Sequence, residues 1–494
     1  MIFSDPAFLA GFLPIVFVLF YAARLLLGGE ASSTLLIVAS MIFYAVWSVP
    51  FLLLLIGQLL FNYYVARYLR THKSKWILAS AIGLNLLLLG YFKYRNFFIE
   101  NIFALVGEYR ILPSLIVPLG ISFHTFQQIA FLITNNGKTG HFPPIKNYTL
   151  FVLFFPQLVA GPIVLNHEFE PQAEASRHNA GIDWDSVGTG FVIFIFGLFK
   201  KICLADNLAP YVDTAFNPSL YLQPIEAWLA TISFVLQLFF DFSGYSDMAV
   251  GLGMMFGIRL PANFRDPLRA LSIVDFWARW HITMTRFFMT YVYTPLSVNM
   301  MRRCYKQRLP RHTQFLMAGA FPTMVTFLAA GFWHGANWTF GFCGVTQGIA
   351  LSINQAWRQW KLPKPPAILS WAMTMMVFCI GQVFFRAVTS HQALQMLGAM
   401  FSPWDIRIPP WLKLQLGALP IPTAEYYFLS GTSFTAEFLL WNALLGLLVF
   451  ALPNLSAVMR PVQPSFRLAC YATVLLCLIV TYIGAPRTFL YFQF

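Results

Sequence analysis

The sequence predicts an all-α integral membrane protein that crosses the bilayer many times, and three observations carry that prediction. Of 494 residues, 58% are hydrophobic and 10% are charged, where an ordinary soluble domain has roughly 25% charged. A soluble fold this apolar would lack the polar surface to cover itself. Apolar runs such as 7–21, 51–60 and 230–240 recur along the whole length. The 52 Phe, 20 Tyr and 14 Trp suit lipid-facing surfaces and interfacial belts. A crossing takes roughly 20 mostly apolar residues, which leaves room for about 11 to 14 membrane helices.

The formal charge of +13 does not mark a nucleic-acid binder, because the basic residues form no single block or helix face. They sit in short groups between apolar runs: Arg67, Arg70, Lys73 and Lys75; Lys200 and Lys201; Arg302, Arg303, Lys306, Arg308 and Arg311; Arg358, Lys361 and Lys364. Cytoplasmic loops carry such groups under the positive-inside rule. Counting crossings back from 67–75 puts the N-terminus outside, and the acidic stretch 168–185 is expected on the face opposite the basic groups. The six cysteines form no C-x-x-C pair and read as packing residues, with Cys304 set apart only by its basic surroundings. The first apolar run lacks a basic lead-in and a small-residue cleavage site, so it reads as a retained helix.

Along the chain, apolar segments run almost unbroken from 8 to 155, and a polar interval follows at 166–185. Helical runs resume at 191–204 and 227–240. The stretch 241–295 is rich in Gly, Arg, Asp and aromatics, and apolar crossings return near 315–333, 340–353 and 368–385. A Pro-containing loop covers 402–432, and two more apolar runs end the chain. No internal repeat or low-complexity segment is present, so residues 1–494 read as one membrane domain.

The polar middle matters because ionisable residues at membrane depth are costly and mark function. Read as one continuous helix, 271–295 places Asp275, Arg279 and Arg286 on one face at 100° per residue. Phe276, Trp277, Trp280, Met284, Phe287 and Phe288 then fill the other face. Asp275 precedes Arg279 by four positions, the favourable order for a helical ion pair. His281 falls at the edge of the aromatic face. This pattern alone fits an interfacial amphipathic helix with a packing histidine.

A second feature is AGFWHGANW at 330–338, where His334 closes an apolar crossing between Gly331 and Gly335. Small residues four apart let helices approach closely in a bilayer. A structural histidine at a helix-packing site is one reading. The other is a general base kept neutral by desolvation, with Asn337 within hydrogen-bonding reach.

These segments resemble the membrane-bound O-acyltransferases, specifically the alginate O-acetyltransferase subgroup. The resemblance runs in order through PLGISFHTFQ (118–127), FFPQLVAGPI (154–163), FGLFKKICLAD (196–206), DFSGYSDMAVGLG (241–253), NFRDP (263–267), DFWARWHIT (275–283), GFWHGANW (331–338) and VFFRA (383–387). The opening MIFSDPAFL is similar too. The core motifs thus lie within 118–387. The sequence departs from the subgroup at His124, where an aromatic residue is usual, and at 131–140 and 297–310.

The resemblance implies a ring of membrane helices around a thin central chamber, with re-entrant or interfacial helices. It implies His334 and His281 as catalytic residues in a bacterial cytoplasmic (inner) membrane enzyme. The implied reaction moves an acyl group, foremost acetyl, from acetyl-CoA or an acyl carrier protein on the cytoplasmic face. The acceptor is a hydroxyl of an extracytoplasmic polysaccharide, or a soluble periplasmic acetyltransferase partner. His334 activates the acceptor hydroxyl or forms a transient acyl-imidazole, and His281 orients that hydroxyl or bonds the thioester carbonyl. Asn337, Trp333, Trp338 and Trp280 are expected to shape the chamber, and Arg279 or the basic loops to meet a phosphate-bearing donor. No bound cofactor and no metal is expected, because the Asp241, Ser243, Tyr245 and Asp247 spacing fits no calcium loop. Teichoic acid, a lipid or a protein are the other acceptors of this chemistry. A transporter without chemistry would show repeat-related broken helices, which the sequence lacks.

Overall fold

The structure is a computed structural model that describes residues 2–108, 112–179, 181–217, 222–402, 414, 436–451, 466–482 and 489–490. Most of the 402–432 loop therefore lies outside the described residues. Among the described residues all long elements are helices. In chain order they are α1 (Phe8–Leu27), α2 (Gly29–Ala45), α3 (Val49–Thr71), α4 (Lys75–Leu105), α5 (Ile121–Asn135), α6 (Ile145–Leu153), α7 (Asn166–His178), α8 (Trp184–Ala215) and α9 (Pro224–Met255). There follow α10 (Ile273–Trp277), α11 (Ile282–Phe288), α12 (Thr294–Lys306), α13 (Arg311–His334), α14 (Trp338–Gln359), α15 (Ala367–Arg386), α16 (Ser390–Met400), α17 (Ala436–Ala451) and α18 (Phe466–Tyr482).

Seven of the described helices are long and apolar enough to cross a membrane: α1, α3, α4, α8, α9, α13 and α15. Three shorter apolar helices, in α2, α17 and α18, add to them. The apolar run around 118–165 contributes no full-length helix. It folds into the short buried helices α5 and α6, so hydrophobicity there reflects protein core rather than a lipid crossing.

Prolines shape several helices in one recurrent way. Wider π-turns at Phe8–Phe12, Met289–Tyr293 and Leu316–Ala320 each stand just before Pro14, Pro295 and Pro322. A proline has no amide hydrogen and crowds the carbonyl four residues back. The wider turn shifts the hydrogen-bond register and lets the helix continue without a break.

The described residues form two compact units. The first is built on the chain up to Ile202, on Ser243–Asn263 and on α18. In it the ends of α1 and α3 and the starts of α2 and α6 meet α7. Arg24 donates to the Ser176 carbonyl at 2.8 Å, and Glu30 pairs with Lys146 and Arg177, both at 2.5 Å. Arg70 donates to the His141 carbonyl at 2.7 Å, and the His141 ring meets Glu170 at 2.9 Å. This corrects the sidedness expected for the acidic stretch. Residues 168–178 lie on the same end as Arg67–Lys75, because their carboxylates are the partners of cations and polar groups gathered there. The chain start, one helix length before Leu27, lies at the other end, as the crossing count implied.

Two devices hold this unit together. Gly190 and Gly197 of α8 face Gly251 and Gly244 of α9, so close that a Cβ on Gly197 would stand 2.6 Å from the Gly244 carbonyl. Both pairs are seven residues apart, which keeps one stripe in contact along two helices. Beside that seam Lys200 and Asp247 form a buried ion pair at 2.6 Å. Elsewhere Asn62 and Asn85 exchange amide hydrogen bonds at 3.0 and 2.8 Å, and Asn62 also donates to Gln128 at 2.9 Å. Such amides join α3, α4 and α5 where no water is at hand.

The second unit takes in Cys203–Phe242 and the chain from Phe264 through α17. α13, α14 and α15 run antiparallel in sequence. Phe315 and Trp360 meet at 5.1 Å, which puts the Arg311 and Arg358–Lys364 ends together. His334, the last residue of α13, lies at the opposite end. Cys304 is fully buried with its sulfur 4.0 Å from that of Met317, which makes it a packing residue.

Candidate functional site

The second unit holds both histidines that the sequence singles out, and it positions them by different means. His281 does not sit within a continuous helix over 271–295. The segment breaks: α10 ends at Trp277, His281 takes a left-handed backbone conformation (φ 42°, ψ 53°), and α11 starts at Ile282. That conformation costs a residue with a side chain roughly 1–2 kcal/mol and persists only where the surroundings enforce it. The surroundings here are specific. Ser272 caps α10 by accepting from the Asp275 amide at 3.1 Å, and Arg265 donates to the Arg279 carbonyl at 2.9 Å. Trp280 packs against Phe239, Phe264, Phe276 and Phe378 at 5.1–6.3 Å.

Within the broken segment the expected ion pair forms, with Arg279 and Asp275 at 2.8 Å. Arg279 is about a third exposed, so it keeps a face toward solvent. Arg286 sits in the last turn of α11, on the far side of the break, and no longer shares a helix with the pair. Trp277 donates from its indole to Gln347 of α14 at 3.3 Å, tying α10 to the helix that follows His334.

His334 is placed by glycine. Gly331 faces Gly344 of α14, its missing Cβ leaving room for the Phe340 carbonyl and for Gly344 backbone atoms at 3.2 Å. Gly344 in turn lies against the Phe327 carbonyl, and Gly335 accommodates the Phe340 ring. The small-residue reading of Gly331 and Gly335 thus holds, with the difference that Gly335 lies beyond the helix end in extended backbone. Asn337 caps α14, accepting from Thr339 at 3.2 Å, and donates to the Val388 carbonyl at 3.0 Å. Its amide is committed to holding the turn beneath His334.

Trp333 packs against both histidines. Its ring lies 6.0 Å from His281, 5.0 Å from His334 and 6.4 Å from Phe288. His281 is fully buried and meets the Phe242 ring edge-on at 4.7 Å. Burial pushes its imidazole well below the usual histidine range and keeps it neutral. His334 is only half-buried and packs edge-on against Phe385 at 5.0 Å, with Phe340 behind Phe385 at 5.1 Å. Trp338 is half exposed and rests on Phe332 at 5.8 Å. One histidine is sealed, the other is reachable, and one indole packs against both.

The sequence reading did not single out Phe242, Phe340 or Phe385, although all three lie in segments it used. Rings in a chain this aromatic carry no positional signal of their own. Gly341, Gly344 and Gly348 on α14 were the legible hint, since their spacing complements Gly331 on the preceding helix. The remaining histidines, His72, His141, His167, His178, His312 and His391, are exposed, and His124 is buried in the first unit.

Membrane-length helices with a reachable histidine at the end of one of them fit a multi-pass membrane enzyme that works by moving protons at its substrate. Comparison with known proteins makes this specific. The chain belongs to the membrane-bound O-acyltransferase family, whose model matches residues 32–390. It is 38% identical over 435 residues to a peptidoglycan O-acetyltransferase of Helicobacter pylori, covering 81% of this chain and 80% of that one. It is 35% identical over 447 residues to a "Probable alginate O-acetylase AlgI" of Pseudomonas putida, covering 87% and 86%. A teichoic acid D-alanyltransferase of Streptococcus thermophilus is 26% identical over 358 residues, covering 68% and 74%. The protein is an O-acyltransferase of the membrane.

Proposed function

We propose that the protein moves an acetyl group from a cytoplasmic thioester, acetyl-CoA or an acetylated carrier protein, to hydroxyls of an extracytoplasmic cell-envelope polysaccharide. Transfer is direct or passes through a soluble periplasmic acetyltransferase, and the site is the bacterial inner membrane. The observation that carries this reading is the half-buried His334 at the end of α13 opposite the basic loops. Acetyl thioesters are made in the cytoplasm, where basic loops gather, and a cell-surface glycan meets the other end. The names of the relatives support a glycan hydroxyl as acceptor.

In this reading His334 takes the proton of the acceptor hydroxyl as the alcohol oxygen attacks the thioester carbonyl. The tetrahedral intermediate collapses, the C–S bond breaks, and the imidazolium returns the proton to the departing thiolate. The products are an O-acetyl ester and a free thiol. His281, neutral and sealed behind Trp333, orients the reacting carbonyl. Trp333 and Phe385 exclude water, so that the thioester is not hydrolysed. Arg279, partly exposed and already paired with Asp275, meets the phosphate of the donor.

The test uses sealed vesicles of known orientation containing the purified protein. Labelled acetyl-CoA is expected to support transfer only from the face bearing Arg302–Arg311, with peptidoglycan or alginate fragments accepting only on the other. Turnover with both substrates on one face overturns the cross-membrane route, and label remaining in acetate alone overturns the acceptor class.

A further inference from the structure

A groove of about 430 Å³ runs between α14 and α15, with Leu271–Ile273, the lead-in to α10, also lining it. Its walls extend along α14 from Thr346 to Trp357, about 16 Å at the helical rise. One leaflet of a bilayer has roughly 15 Å of hydrocarbon, so the groove is one leaflet deep.

The lining changes character along that depth. The body is built from Ile349, Ile353, Met373 and Val377. Thr346 and Thr374 turn their hydroxyls to the Cys343 and Ser370 carbonyls at 2.8 and 2.7 Å, which leaves their methyl groups for the groove. Near the mouth Asn354 carries a buried side-chain oxygen without a hydrogen-bond partner. At the mouth Trp357 donates to the Pro363 carbonyl at 2.9 Å and folds the following turn beside it. That turn exposes Arg358, Lys361 and Lys364, and among the described residues none of the three forms an ion pair. Cations outermost, then a tryptophan and a polar amide, then an apolar slot is the order of groups that matches a phosphate, a glycerol ester region and an acyl chain.

We infer that this groove is a binding site for one anionic glycerophospholipid. Its chain fills the space between α14 and α15, its glycerol region meets Asn354, and its phosphate lies on Arg358, Lys361 and Lys364. The bound chain also backs Leu271–Ile273, the start of the segment that leads through Trp277 to His281. An occupied groove therefore supports the strained backbone at His281 from behind.

Native mass spectrometry of the purified protein, offered equal amounts of phosphatidylglycerol and phosphatidylcholine with identical chains, tests this. One phosphatidylglycerol is expected to be retained in preference, by about fivefold for each basic residue engaged. Ala350→Trp, which fills the groove, is expected to remove the retained lipid while elution as a folded species is unchanged. Ile353→Trp serves as a second filling variant should the first misfold. The triple change Arg358→Gln, Lys361→Gln, Lys364→Gln is expected to erase the preference while leaving the groove open. Equal retention of the two lipids by the unaltered protein overturns the inference, as does undiminished phosphatidylglycerol on a folded groove-filled variant.

Discussion

Gly344→Ala is the smallest change that tests how His334 is held. A Cβ on Gly344 would fall on the Phe327 carbonyl, with the Phe327 carbonyl carbon at 3.0 Å and the Leu328 Cα at 3.1 Å. Carbon and carbonyl oxygen tolerate an approach of about 3.3–3.6 Å, so α13 and α14 must part by about 1 Å. The obstacle is backbone on both sides, and no side chain can swing away to relieve it. Overpacking of this kind costs roughly 1–3 kcal/mol. His334 lies about two turns beyond the contact, and a 1 Å misplacement of the group proposed as the general base costs about 10²-fold in rate. The expected outcome is a folded protein of lowered thermal stability whose acetyl transfer falls about 100-fold. Two changes of the same chemistry serve as references. Gly341→Ala meets only the far end of the Phe332 ring, at 2.8 Å, which can turn aside, so activity stays within a few fold of normal. Gly83→Ala on α4 meets nothing within 4 Å and is expected to stabilise by about 0.5–1 kcal/mol. Detergent thermal unfolding and labelled acetyl transfer measure all three. Equal behaviour of Gly344→Ala and Gly341→Ala, or full turnover in Gly344→Ala, would refute the reasoning.

Three further outcomes are expected. His334→Ala abolishes acetyl transfer to within the detection limit, a loss of at least about 10²–10⁴-fold for a general base, with membrane insertion and unfolding temperature near normal; substantial remaining turnover removes the proposed role. His281→Asn keeps the left-handed backbone at little cost, since Asn tolerates it, and lowers activity with the shape of the pH profile unchanged. The sign follows from burial: an imidazole held below its ordinary range stays neutral between about pH 5 and 8 and contributes no inflection there. A lost inflection in that window would show instead that His281 titrates. Lys200→Met leaves Asp247 buried without its partner and destabilises by about 3–5 kcal/mol, whereas Lys200→Met with Asp247→Leu recovers most of it; a double variant no better than the single one contradicts the buried pair.

Much of this protein was legible in one dimension, because a bilayer punishes polar groups locally. Composition and the recurring apolar runs identify membrane helices without reference to partners, since each helix satisfies its own backbone. The glycines at 331 and 335 mark where neighbouring groups come close. His334 stood out for the same reason, as an ionisable group among glycines at the end of an apolar run. Asp275 and Arg279 found each other as their spacing required, a contact within one turn of chain.

What only the tertiary structure decided involves groups distant in sequence. The helix expected over 271–295 breaks at His281 because Trp280 is held by rings from three distant places in the chain, Phe239, Phe264 and Phe378. Packing energy spread over those contacts outweighs a local penalty of roughly 1–2 kcal/mol. The acidic stretch at 168–185 joined the basic end because Glu170 meets His141, Glu174 meets Asn147 and Arg177 pairs with Glu30 of α2, and the positive-inside rule counts Lys and Arg while carboxylates weigh little. Trp333 packing against both a sealed and a reachable histidine depends on where α10, α11 and α13 pack. The sequence by itself determined the membrane class and which histidine ends an apolar helix. The expected crossings, about 11 to 14, became seven membrane-length helices and three shorter apolar ones among the described residues, because the run around 118–165 packs as protein core. The tertiary structure decided which aromatic walls that histidine meets, because side-chain contacts between distant segments leave no periodic trace along a chain.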